Sequence, residues 1–213
     1  MMSQHRTSWE TVDDDSDEVT RAPNAIPEEQ ILDAAYELLL AVGMRRLNMA
    51  DIARSASVSR ATLYRHWPNA SSVVGALVTR EFAGVTAHAF ATDTESARGG
   101  LVNGVVATVH SIRVHPLMRK IIDVDPQFLL PYLVERRGTS TTQQLGLMEM
   151  AVQAGRVDGS IRGGEAAPAA LQARAIWLLA CSFTLTAPVL ADEVSLEDLD
   201  GQLVELLDRY LAP

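Results

Sequence analysis

The chain has 213 residues, 47% of them hydrophobic, and 18 basic against 27 acidic residues give a formal charge of -9. That length and apolar content exclude global disorder and suit a small domain fused to a larger one, with a sizeable core. A single cysteine, Cys181, excludes an intrachain disulfide and fits a reducing compartment.

Aromatic residues are scarce while Ala, Leu and Val are common, which favours helices over sheets. Residues 1–25 read as a disordered acidic tail. Asp13 to Glu18 form a like-charge run with little apolar content nearby. The opening "MMSQHRTSWE" lacks the apolar core of a leader peptide. The most apolar stretch, "AIWLLACSFTLTAPVLA", carries Ser and Thr and meets Pro188, too short and mixed for a membrane span. The expectation is a cytoplasmic protein with no membrane partner.

Structure is expected from Ile26. "PEEQILDAAYELLLAVG" reads as a helix with both ends marked. Pro27 suits its first position, Glu28 and Glu29 complement the helix dipole, and Gly43 supplies a left-handed stop. Ile31, Ala34, Ala35, Leu38, Leu39 and Val42 give it one apolar face. A short second helix follows, capped by Asn48, then a turn and a third short helix capped by Ser59. Pro68 ends the third helix and Asn69 caps the next. Further helices are expected near 70–92, 97–113, 116–123, 127–135, 139–155, 167–187 and 195–211, with no alternating strand pattern anywhere. The fold class is therefore all-α, with a three-helix domain over 26–71 and a larger helical domain over 72–213.

The second and third helices form a helix-turn-helix candidate. Ile52, Ala53, Ala56, Val58 and Leu63 supply its small core, and the two alanines let the helices approach closely. The third helix then exposes Arg60, Ala61, Tyr64 and Arg65, short and basic side chains of the kind a major groove admits. Arg60 suits bidentate bonding to guanine, and Ala61 or the Thr62 methyl suits a thymine methyl. Tyr64, His66 and the capping hydroxyl of Ser59 suit phosphates. Between Met44 and Pro68 five arginines stand against Asp51 alone, a local +4 within a chain of -9. Distant acids are screened over roughly 8 Å at physiological salt, so the patch keeps its own sign.

"GMRRLNMADIARSASVSRATLYRHWPNASSVV" resembles the DNA-binding segment of TetR-family transcriptional regulators, and with the preceding helix the resemblance covers residues 27–75. That family has a glycine after helix one, a second helix containing "IA", a "GVS" turn and a "TLYRHF"-like recognition helix. The resemblance implies that Arg45, Asn48, Ser59, Arg60, Ala61, Thr62, Tyr64, Arg65 and His66 face double-stranded, palindromic operator DNA. Four departures stand out. Asn48 replaces Thr as a cap, Trp67 replaces Phe or Tyr as a core plug, and Ala70 replaces a phosphate-contacting Lys. Ser57 replaces the turn glycine, at a cost of about 1 kcal/mol if the backbone there needs positive φ.

The resemblance further implies a homodimer paired through the last two long helices, with Leu178, Phe183, Leu203, Leu206 and Tyr210 as interface candidates. It also implies a pocket for an unknown small, largely apolar effector among the middle helices. His110, Met118, Phe128, Tyr132, Met148 and Trp177 are its candidate lining, beside Val106, Ile122 and Val152. The expected function is a repressor released from its operator by that effector. A regulator without an inducer and an activator remain open, as does a helical binding protein or enzyme with an incidental basic segment. No phosphate loop, nucleophile elbow or zinc spacing points to catalysis, a cofactor or a metal. His110 and His115, five residues apart, do not share a helical face. Cys181, in an apolar helix, reads as a buried thiol.

Overall fold

The structure, a computed structural model, describes residues 28–91, 94–131, 135, 137–164 and 168–213. The acidic tail at 1–25, Pro27 and the effector candidate Tyr132 lie outside the described residues. The described chain holds ten α-helices and no strand, as composition and periodicity predict. They are α1 (Glu28–Val42), α2 (Met49–Ser55), α3 (Arg60–His66), α4 (Ala70–Ala89), α5 (Ala97–Val114), α6 (Pro116–Val124), α7 (Thr139–Val157), α8 (Ala169–Leu185), α9 (Ala187–Leu190) and α10 (Leu196–Leu211). Single 3-10 turns occupy Met44–Arg46 and Pro126–Phe128.

Helix starts follow the capping side chains. Asn48, Ser59 and Asn69 accept the backbone N–H of Asp51, Thr62 and Ser72 at 3.0, 3.0 and 2.9 Å. Ser195 opens α10 with a reciprocal capping box to Asp198, and these bonds hold the Asp198 carboxyl below its usual range. Three boundaries differ from the sequence reading. The helix expected at 70–92 ends at Ala89. The helix expected at 127–135 begins as the 3-10 turn at Pro126. The stretch 167–187 divides into α8 and α9, because Pro188 sits in the first turn of α9, where a missing N–H costs nothing.

Two buried clusters organise these helices. The first joins α1, α2, α3 and the start of α4 through Ile31, Leu39, Ile52, Leu63, Trp67, Val73 and Leu77. Leu117 and Ile121 of α6 belong to this same cluster, both nearly inaccessible. The second joins α5, α7, α8 and α10 through Leu101, Val105, Val152, Ile176, Leu203 and Leu207. A buried ion pair between Arg113 and Asp200 ties α5 to α10 beside it. Helix α4 runs from the first cluster to pack along α5 and α7.

Candidate nucleic-acid interface and adjoining cavity

The geometry of α2 and α3 starts from their buried side chains. Ile52, Ala53, Ala56 and Leu63 pack inward, and Val58 is half-buried beside them. Trp67 plugs the same core at the end of α3. The turn between the helices places Ser57 at φ 55, the only positive φ at a non-glycine among the described residues. Val58 N–H closes the turn on Ala53 C=O at 2.9 Å. From α1, the Gln30 amide donates to Ala56 C=O at 3.0 Å, which fixes the turn against the first helix of the unit.

With that core closed, α3 presents Arg60, Ala61, Tyr64, Arg65 and His66 to solvent, with Thr62 half-buried. Tyr64 is 53% exposed, high for an aromatic side chain in a folded chain. Arg46, Arg60 and Arg65 have no acidic partner among the described residues, whereas Arg54 pairs with Asp51. The face therefore carries net positive charge where α3 begins. Ser59 and Thr62 bond each other through their hydroxyls at 2.8 Å, and Asn48 also donates to the Asp51 carboxylate at 2.7 Å. These caps hold the helix starts rigidly.

Arg45 is oriented from outside the unit. Its Nε lies 3.3 Å from Oδ1 of Asp125, whose side chain is 2% exposed. The other carboxylate oxygen of Asp125 accepts the N–H of Met44 at 2.8 Å. Asp125 stands between α6 and the Pro126–Phe128 turn, 81 positions away from Met44. Sequence reasoning missed it, because "DPQ" signals only a local turn.

A cavity of about 990 Å³ lies between α4, α5, α7 and α8. Met118, Phe128, Met148 and Trp177 line it, together with Phe82, Phe90, Val105, Val109 and Cys181. His110 does not. It is exposed on α5, with Nδ1 3.7 Å from Asp200, because it sits one residue beyond the inward stripe of Val105, Thr108, Val109 and Ile112. Val152 is buried in the second cluster, and Val106 and Ile122 also lie off the wall. Gln144, Thr108 and Thr184 were missed as lining residues, although Gln144 shares a helical stripe with Met148. Burial pushes the Cys181 thiol up to about 12.

On the opposite side, α8 and α10 expose Leu171, Leu178, Leu196 and Leu206, while Phe183 and Tyr210 are half-buried. Leu203 differs. It is 0% exposed inside the second cluster and has no surface to offer a partner chain. Among the described residues no cluster of His, Cys, Asp and Glu can hold a metal ion, and no helix is long and apolar enough to cross a membrane.

Residues 31–77 match the family described as bacterial regulatory proteins, tetR family. An uncharacterized HTH-type transcriptional regulator of Mycobacterium tuberculosis is 28% identical over 182 residues, 85% of this chain and 93% of that protein. The R. erythropolis transcriptional repressor QsdR, from the TetR family, superposes with a TM-score of 0.64 at 19% identity, covering 90% of this chain and 98% of its own. The regulator FadR from Bacillus subtilis, solved in complex with stearoyl-CoA, gives 0.59 at 16% identity, covering 86% and 98%. Residues 31–77, with the capped helix-turn-helix between Met49 and His66, thus carry the DNA-binding segment of the tetR family, and the all-helical body behind them has the fold of TetR-family repressors.

Proposed function

We propose that the protein is a homodimeric, sequence-specific repressor that acts in the cytoplasm and leaves its palindromic operator when a small, largely apolar ligand fills the cavity. The observation that carries the reading is the solvent-facing side of α3. Its side chains are exposed and its arginines unpaired, while Ile52, Ala53, Ala56, Leu63 and Trp67 are turned inward. In this reading residues 26–71 read DNA, and Arg45, Asn48, Ser59, Arg60, Ala61, Thr62, Tyr64, Arg65 and His66 meet the duplex. Residues 72–213 bind the effector and pair two protomers. Leu178 and Leu206 form the centre of that pairing surface, with Phe183 and Tyr210 at its edge.

Induction follows from α4. It begins directly after the Asn69 cap, and its Thr79, Phe82 and Thr86, with Phe90 at its C-terminal cap, line the cavity. Its 20 residues span about 30 Å. A ligand that shifts the far half of α4 swings α3 with it, and two recognition helices at a changed spacing miss successive grooves. A hundredfold preference for the swung state supplies about 2.7 kcal/mol. FadR from Bacillus subtilis, which shares the fold, was solved in complex with stearoyl-CoA, which supports a ligand here. A gel-shift with DNA from upstream of the gene tests the reading. A folded protein that shifts no fragment of that DNA any better than a random duplex overturns it.

A further inference from the structure

The walls of the cavity limit what can occupy it. Among the described residues no unpaired charge is buried there. Of the charged residues in the lining, Glu28, Glu29 and Arg137 are exposed, and Arg80 is already bonded to Glu29, Asp33 and Glu81. The inner polar groups are few, and most have partners. Thr108 and Thr184 donate their hydroxyl hydrogens to the carbonyls of Gly104 and Ala180, both at 2.7 Å. Trp177 Nε1–H donates to Gln144 Oε1 at 3.1 Å.

That last bond decides an orientation. An indole N–H can only donate, so it must meet the oxygen of the amide and not its nitrogen. Gln144 is thereby held with its NH2 turned away from Trp177, and this NH2 makes no hydrogen bond to the described residues. Two donors of the inner wall are left open, the buried Thr86 hydroxyl on α4 and, beside Trp177, the NH2 of Gln144. A carboxylate in the buried part of this space, away from the exposed Arg137, would give up its hydration with no cation to replace it, and an ammonium there, away from the exposed Glu28 and Glu29, would meet no carboxylate.

We propose that the cavity, read above as the effector site, selects an uncharged and chiefly apolar ligand with one hydrogen-bond-accepting oxygen, of the ketone, ester or lactone class, gripped by the Gln144 NH2. Trp177 is the positioning residue for that grip, and the hydrocarbon part of the ligand lies against Val105, Val109 and Met148. The inference rests on the effector-site reading, and the experiment separates the two.

The full chain is titrated calorimetrically with octane, 2-octanone, octanoate and octylamine at neutral pH. 2-Octanone is expected to bind roughly tenfold more tightly than octane, the worth of one good hydrogen bond. It is expected to bind at least about a hundredfold more tightly than either ion. In Gln144→Leu the advantage of the ketone over octane disappears while octane affinity persists, which also certifies the fold. Trp177→Phe reduces the advantage by releasing the amide. Octanoate or octylamine binding as well as 2-octanone overturns the proposal, and so does an undiminished ketone preference in Gln144→Leu. Binding of octane with no preference for the ketone sinks this inference alone. If none of the four binds, the effector-site reading fails and takes the inference with it.

Discussion

The carboxylate of Asp125 bonds the backbone N–H of Met44 at 2.8 Å, so a residue following α6 caps the turn that leads into the helix-turn-helix. The same carboxylate holds Arg45, and Phe128, three residues on, lines the cavity. Asp125→Ala strands a buried N–H and releases Arg45. It is expected to cost about 2–4 kcal/mol of stability, whereas Asp125→Asn, which keeps an acceptor, costs less. Urea unfolding measures both. Operator affinity of the folded Asp125→Ala protein should fall as well, since the start of α2 loses its anchor. Equal stability of all three proteins would show that the bond is without consequence.

Arg60 lies at the first position of α3 with no acidic partner among the described residues. Arg60→Ala is expected to lose roughly 1–3 kcal/mol of operator affinity and to relax base preference at one position per half-site. Tyr64→Phe should weaken binding to all sequences alike, as loss of a phosphate contact does. Selection from a randomised operator library distinguishes the two patterns. An unchanged consensus for Arg60→Ala assigns the base contact elsewhere.

Leu203 and Leu206 lie three residues apart on α10 but in opposite environments, 0% and 48% exposed. Leu206→Glu is expected to leave the helical content intact and to raise the dimer dissociation constant by at least tenfold. Leu203→Ala is expected to destabilise each protomer by about 2–5 kcal/mol through the cavity it leaves. Sedimentation and thermal melting read these separately. A Leu206→Glu protein that remains fully dimeric at low concentration places the pairing surface somewhere else.

Cys181 lines the cavity, yet burial raises its thiol from 9.0 to about 12. The thiolate is the reactive form, so iodoacetamide at pH 8 should alkylate the folded chain at least about a hundredfold more slowly than the chain in urea. Linkage has a definite sign. Between pH 9 and about 12 the unfolded thiol loses its proton while the folded one keeps it, so stability declines with rising pH across that window. In Cys181→Ala the decline should be shallower. Fast alkylation of the native protein at pH 8 would contradict the half-buried setting of this thiol.

The parts of this molecule that depend on neighbours in sequence were readable in advance. Asn48, Ser59 and Asn69 announce helix starts because a cap acts within three residues. Ser57 stands where the family keeps glycine, and its φ of 55 locates the strain the sequence implied. The inward faces of α2 and α3 followed from helical spacing alone. What depends on packing between distant helices was not readable. His110 reads in sequence as a cavity residue because it continues one helical line from Val106, but the neighbouring line faces the cavity. Leu203 and Leu206 look alike in sequence, and only the position of α5 and α8 tells which one is buried. Asp125 and Gln144 owe their settings to Met44 and Trp177, partners that no local pattern names.

The presence of Leu117 and Ile121 in the same cluster as Ile52 and Leu63 has a consequence for modularity. The helix-turn-helix does not finish its own interior, because α6 supplies part of the wall. Cut free near residue 75, it would expose an apolar surface that the intact chain covers. It is therefore not a cassette that can be exchanged between regulators as a unit. Any graft that keeps its specificity must bring α6 along, or rebuild the face that α6 now covers.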